Sequence, residues 1–142
     1  MATVRRHIDR PRDVVFKTIA DPSTFPDWLV GNKGIRYIDP DWPRPGTKFG
    51  HRVGLGGPIT LEDNTESLAA EPARLLKLHA RFRPFGRAHV TFELADEQAG
   101  TLVTMEEHLV GPFAVLEPVA DPLIGARNRK TLDNLDEYLR TH

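Results

Sequence analysis

The order of its patterned segments constrains this chain more than any single motif. A strand-like piece at the N-terminus runs straight into two short helical pieces. Five or six strand-like runs separated by Gly/Pro turns follow, and one long amphipathic helix, from about Pro122 to Arg140, closes the chain. An antiparallel sheet built from such runs buries one face and wets the other. Curved around a single long helix, it leaves a cavity between the two layers. The order therefore predicts an α+β fold with a curved antiparallel sheet of about seven strands and an interior that holds a small apolar molecule.

The periodicities place the elements. Thr3 to Asp9 forms a first strand, broken by Asp9-Arg10-Pro11, and Pro11 suits the first turn of a helix whose apolar stripe is Val14, Val15, Phe16 and Ile19. Asp21-Pro22-Ser23 starts a second short helix ending near Trp28, with Asp21 as N-cap. Gly31 and Gly34 bracket a turn into a strand over Ile35 to Ile38. Asp39 to Gly46 is too rich in proline to be anything but a connection, and it leaves Trp42 exposed as a loop contact or dimer surface. Thr47 to Val53 alternates, with Phe49, His51 and Val53 on one face. Gly54 to Pro58 turns the chain into a longer strand, Ile59 to Leu68, of mixed pattern. Leu76, Leu78, Ala80 and Phe82 alternate with Lys77, His79 and Arg81. Val90, Phe92 and Leu94 do the same in the next run, and Thr101 to Val110 is the last strand. Phe113 to Ala120 is apolar, a helical turn or a flap. Asp121-Pro122 supplies the N-cap and N1 proline of the closing helix. Its stripe is Ile124, Asn128, Thr131, Leu132, Leu135 and Leu139, and Asp136 pairs with Arg140 on the wet side.

Composition narrows the function. The 142 residues make one domain, 1–142, with enough chain for a sizeable core. The net charge of −1 is spread over mixed signs, so no basic face argues for nucleic acid. There is no cysteine, which excludes disulfides and thiolate chemistry. Met1 to His7 has no apolar segment of the signal-peptide kind, and no run approaches the ~20 apolar residues that span a bilayer. A soluble cytoplasmic protein, monomer or homodimer, is expected. His7, His51, His79, His89, His108 and His142 show no HExxH or other metal spacing. The glycine-rich stretch 54–58 lacks the Lys-Ser/Thr ending of a phosphate loop, and there is no G-x-S-x-G elbow. No metal and no cofactor are expected.

Particular residues carry a resemblance along essentially the whole chain. They are Val15-Phe16, Ile19-Ala20-Asp21-Pro22, Trp28, Pro45-Gly46-Thr47, Glu71-Pro72-Ala73-Arg74-Leu75 and Gly100-Thr101, together with the closing helix. In these the chain resembles the START-like superfamily, also described as Bet v 1-like or SRPBCC, with its polyketide cyclase/dehydrase and lipid-transport group. The resemblance implies a helix-grip fold with an internal cavity. Relatives include hormone- and lipid-binding proteins, aromatic polyketide cyclases and co-chaperone domains, so it does not settle a function. No residue set here matches a cyclase catalytic motif, and no catalytic residue is carried over.

Three polar residues stand out for chemistry. In the last strand, Val103 and Met105 turned inward bring Glu107 inward too, where a carboxylate facing an apolar cavity acts as acid, base or hydrogen-bond anchor. The alternative is a frayed strand end, with Glu107 meeting solvent or a basic partner. His51 shares the inward face of Phe49 and Val53. It is either a hydrogen-bonded core residue or, if it lies within reach of Glu107, half of a proton-shuttling pair. Asn128 interrupts the helix stripe, and its amide orients a ligand or bonds a neighbouring segment. The neighbouring Arg127 reaches the cavity mouth or stays in solvent. Apolar walls are expected from Trp28, Phe49, Phe82, Phe92, Met105 and Leu132. Arg81, Arg83 and Arg87 cluster about the Pro84-Phe85-Gly86 turn, where they bind an anionic group or another protein, or are simply solvated.

Three readings follow. The first is a protein that binds a small hydrophobic or aromatic molecule of lipid, polyketide or isoprenoid type. The second is a cyclase/dehydratase-type enzyme using Glu107 or His51 as acid/base, which requires the two to converge on one wall. The third is a protein-interaction module with a collapsed cavity, acting through the Arg81–Arg87 hairpin or the Trp42 loop.

Overall fold

In the computed structural model β1 (Ala2–Ile8) is followed by α1 (Arg12–Ile19), a 3-10 turn (Pro22–Thr24) and α2 (Phe25–Trp28). Six more strands come next: β2 (Asn32–Ile38), β3 (Lys48–Gly56), β4 (Ile59–Glu71), β5 (Leu75–Arg81), β6 (Arg87–Glu97) and β7 (Gly100–Val110). A 3-10 segment (Gly111–Leu116) leads into α3 (Glu117–Thr141). The structure describes residues 1–142, the side chains of 55 and 56 excepted. The turn expected over 54–58 falls partly on these two and so lies partly outside the described residues.

The seven strands form one antiparallel sheet in the order β1-β7-β6-β5-β4-β3-β2. Consecutive strands from β2 to β7 are neighbours; short turns connect those from β3 onward, and the proline-rich connection 39–47 joins β2 to β3. The exception is β1, which pairs with β7 at the far edge from β2. The chain must cross the sheet between β1 and β2, and it does so through α1 and α2. Asp21 caps this crossing, its side chain accepting the Ser23 amide at 3.1 Å. Inward alternation on β1, β5, β6 and β7 packs Val4, Leu76, Leu78, Phe92 and Met105 with Trp28, Leu132 and Leu135 in one apolar core.

Three expectations are corrected. The closing helix starts at Glu117, with Pro118 in its first turn, so Pro122 lies inside it. The extra turn forms because Pro122 gives up only one N–H near the helix start. Asp121, instead of capping, accepts the Met1 ammonium at 2.7 Å, while Glu117 accepts the Leu109 amide. The apolar stretch from Phe113 is thereby helical, 3-10 up to Leu116 and α beyond. Asp136 is buried rather than wet, because Arg6 reaches over from β1 and donates to it at 2.9 Å, opposite Arg140 at 3.0 Å. Trp42 is half-buried against the core. Its indole N–H donates to the Ala20 carbonyl at 2.9 Å and its ring stands edge-on to Phe49, centroids 4.8 Å apart.

The mixed pattern of β4 has a physical reason. Its inward positions are Asp63, Thr65 and Ser67, all polar and all buried. Asp63 is held by Arg83, and the Ser67 hydroxyl donates to the Pro43 carbonyl at 2.7 Å, tying down the proline-rich connection. A register shift between Ser67 and Ala69 interrupts the pairing with β5, which then continues to Glu71 opposite Leu75.

Candidate functional site

Between the concave face of the sheet and α3 lies a cavity of about 250 Å³. Its wall is largely apolar, with Phe25, Trp28 and Leu29 from the α2 end, Phe49 and Val53 from β3, and Leu78, Val90, Phe92 and Met105 from the central strands. The aromatic side is rigid: Phe25 stands edge-on to both Trp28 and Phe49, at centroid distances of 5.2 and 5.4 Å. Edge-to-face packing of this kind fixes ring orientation as well as burying area.

Polar groups enter from two flanks. On β7, Glu107 is buried, with Ala2 and Val90 as its strand partners. It meets a basic partner rather than solvent: Arg127 of α3 donates to its Oε1 at 2.6 Å, and the Asn128 amide donates to the same oxygen at 3.1 Å. Adjacent helix residues thus close on one carboxylate, and Asn128, itself buried, has its partner. On β3, His51 is buried and its Nε2 has no hydrogen-bond partner. Burial pushes its pKa down; a backbone hydrogen bond at Asn64 and the neighbouring Asp63 charge push the other way, and Arg36 adds to the lowering. The ring is therefore held neutral at the cavity wall.

The two flanks do not meet. Three strands separate β3 from β7, so His51 and Glu107 project from different flanks of the curved sheet. Glu107 bonds Arg127 and Asn128, not His51. The carboxylate beside His51 in register is Asp63, and its oxygens are taken by the Arg83 amide and guanidinium. Burial raises the Asp63 pKa, but the Arg83 hydrogen bonds outweigh it and bring the carboxyl down to about 2.

Trp28, Phe49, His51, Phe82, Phe92, Met105, Glu107 and Asn128 all line the cavity, whereas Leu132 belongs to the packed core and not to the wall. Arg127 lines it too, because the carboxylate it neutralises is buried. Phe25, Leu29 and Thr65 were not anticipated. Phe25 had a signal, as the large apolar residue of the short second helix. Thr65 had none, because polar residues occupy its whole inward stripe. Two of the three hairpin arginines have acidic partners, Arg81 bonding Asn64 and Glu66 and Arg83 bonding Asp63 while staying largely exposed; Arg87 lies against Gly111. Among the described residues no cluster of acidic or histidine side chains has the geometry to hold a metal ion, and no helix is long and apolar enough to cross a membrane.

The same architecture recurs in solved structures. A protein from Rhodobacter sphaeroides superposes with a TM-score of 0.79 at 20% identity, covering 98% of this chain and 91% of that one. The protein MLL2253 from Mesorhizobium loti gives 0.72 at 24% identity, covering 99% and 96%. The protein Ara h 8.0201 gives 0.75 at 14% identity, covering 99% and 97%. At these identities the likeness is one of fold. No curated protein matches the chain. The model of the family described as polyketide cyclase / dehydrase and lipid transport matches residues 1–140. A seven-stranded sheet gripping one long helix, a cavity between them and that match over nearly the full length place the chain in the polyketide cyclase/dehydrase and lipid-transport family.

Proposed function

We propose that the protein binds a compact hydrophobic or aromatic molecule, of lipid, polyketide or isoprenoid type, between the sheet and α3. The observation that carries this reading is the cavity itself: a largely apolar wall with polar side chains from Asn32, His51 and Thr65 on one side and from Glu107, Arg127 and Asn128 on the other. That distribution suits an apolar body with one or two polar substituents. Size narrows the class. A dry cavity of about 150 Å³ accepts benzene, so about 250 Å³ suits a two-ring aromatic or a short branched chain better than a full-length lipid.

The cyclase/dehydratase alternative needs acid and base groups that converge. Glu107 and His51 stand on opposite flanks, which favours binding over turnover. The collapsed-cavity alternative needs an interior filled by Phe and Leu, and the interior is not filled.

The test is native mass spectrometry of protein purified from its own host, with organic extraction, alongside uptake of N-phenyl-1-naphthylamine in vitro. A co-purifying apolar molecule, and probe uptake that Val90→Phe or Ala80→Leu abolishes, are expected. An empty protein that takes up no probe sinks the reading.

A further inference from the structure

Large apolar side chains left in solvent are normal when scattered and informative when contiguous. Here six of them, Phe85, Phe113, Val115, Leu116, Val119 and Leu123, fall on the β5–β6 hairpin tip and the adjoining segment that runs into α3, together termed a ridge. Val115 and Val119 are each 79% exposed and Leu123 is 76% exposed, so these are side chains presented to solvent, not edges of the core. The ridge combines the tip of the β5–β6 hairpin, the 3-10 segment and the first turns of α3. The parts adjoin at Gly86: the rings of Phe82 and Phe113 lie 3.4 and 3.6 Å from where a Cβ there would sit. Phe82 also lines the cavity, so the ridge borders the cavity wall.

The charges bordering the ridge are mostly basic. Arg127 and Lys130 follow Leu123 at i+4 and i+7, continuing the same exposed helix face, and both are exposed. Arg83 is exposed beside Phe85, and the Arg87 guanidinium lies against Gly111. The acidic residues from Gly111 to Leu132 are Glu117 and Asp121, and both are ion-paired with the Met1 ammonium. An apolar crest with a basic border is the pattern of a segment that lies in the interface of an anionic bilayer. A second copy of this chain fits less well, because a two-fold contact would press the two basic borders together. A groove-binding peptide is disfavoured by shape, since the feature is a crest.

We propose that the ridge from Phe113 to Leu123, with Phe85, docks the protein on a membrane surface bearing anionic lipids, with Arg127 and Lys130 at the headgroups. Docked this way, the Phe82–Arg127 side of the cavity faces the bilayer. Exchange of an apolar molecule between bilayer and cavity would then avoid water. That route rests on the ligand reading above; the docking does not.

The experiment is co-sedimentation with large vesicles of phosphatidylcholine, and of an equal mixture of phosphatidylcholine and phosphatidylglycerol. Partitioning onto the mixed vesicles is expected to be about tenfold tighter than onto phosphatidylcholine alone, and to weaken with salt. The Val119→Asp/Leu123→Asp variant is expected to lose at least about tenfold. Both positions are exposed, and an unchanged circular dichroism spectrum and N-phenyl-1-naphthylamine affinity in solution check that fold and cavity persist. Absence of partitioning onto either vesicle overturns the proposal, as does equal partitioning by the variant. A wild-type dimer that the variant converts to monomer, without vesicle binding, assigns the ridge to a second copy instead. If the probe never binds but the vesicles do, the ligand reading fails and the docking stands.

Discussion

Arg127 and Glu107 form an ion pair of unequal halves: the guanidinium is 42% exposed, and the carboxylate it contacts at 2.6 Å is 5% exposed. The exposed partner therefore screens a charge that the cavity wall does not otherwise tolerate. Removing it leaves Asn128 as the remaining donor to a buried carboxylate. Because solvent reaches the guanidinium, the loss falls short of that for a fully buried pair, and Arg127→Ala is expected to cost about 1–3 kcal/mol. Glu107→Gln keeps an acceptor for both donors and is expected to cost less, about 1 kcal/mol. Urea unfolding of both variants tests the order. Equal costs for the two would mean that the charge at Glu107 contributes nothing.

Stability should fall as pH drops below neutrality. His51, His79 and His89 all have pKa values lowered chiefly by burial. His79 also faces Arg81 and Arg87, with Glu66 opposing, and His89 faces His79, His108, Lys77 and Arg87. Their unfolded forms take up protons near pH 6.5 while the folded forms resist, so stability is lost as pH falls through that value. Asp63 acts later and through the other mechanism. Its carboxyl is lowered from 3.8 to about 2, so its contribution is present above pH 3.8 and disappears toward pH 2. Thermal midpoints between pH 7.5 and 5 should decline in wild type and decline less in a His51→Gln/His79→Gln/His89→Gln variant. An unchanged slope would rule out the buried histidines as its cause.

The fold was legible because its signals are local. Turn residues between alternating runs, the Asp21 cap and the stripe from Ile124 to Leu139 each act within a few residues. Glu107, Asn128, Phe92 and Met105 were legible for the same reason, through strand and helix period. What was not legible depends on contacts across the chain. Asp136 looks wet until Arg6, 130 residues away, reaches it. Trp42 looks exposed among prolines until the Ala20 carbonyl and the Phe49 ring are placed beside it. A His51–Glu107 pair is compatible with both inward faces, and only strand order shows that three strands intervene.

The Trp42 contact predicts a large cost for a residue in a loop. Trp42→Ala removes the ring from Phe49 and frees the Ala20 carbonyl, and is expected to cost about 2–4 kcal/mol. Trp42→Phe keeps most of the packing and loses the donor, for about 1 kcal/mol. A solvated loop tryptophan would change stability by under about 0.5 kcal/mol. Guanidinium unfolding midpoints of the two variants separate these cases.

Gly100 predicts a backbone effect where the side-chain change is smallest. It opens β7 and is buried opposite β1. A methyl there would run into the Ile8 carbonyl oxygen and lie 3.0 Å from the His7 ring. The histidine can swing away, but the carbonyl cannot, because Ile8 is held in register opposite Thr101. The Thr101 hydroxyl adds a second tie, donating to the Arg10 carbonyl at 2.7 Å. Gly100→Ala must therefore push β1 off β7 at this end, at a cost of about 2–3 kcal/mol. In a chain of this size that lowers Tm by about 10 °C. The adjacent exposed control, Ala99→Ser, should stay within about 0.5 kcal/mol. Amide hydrogen exchange locates the damage: faster exchange confined to β1 and the start of β7 is expected, and uniform acceleration across the sheet would show that the methyl is absorbed elsewhere.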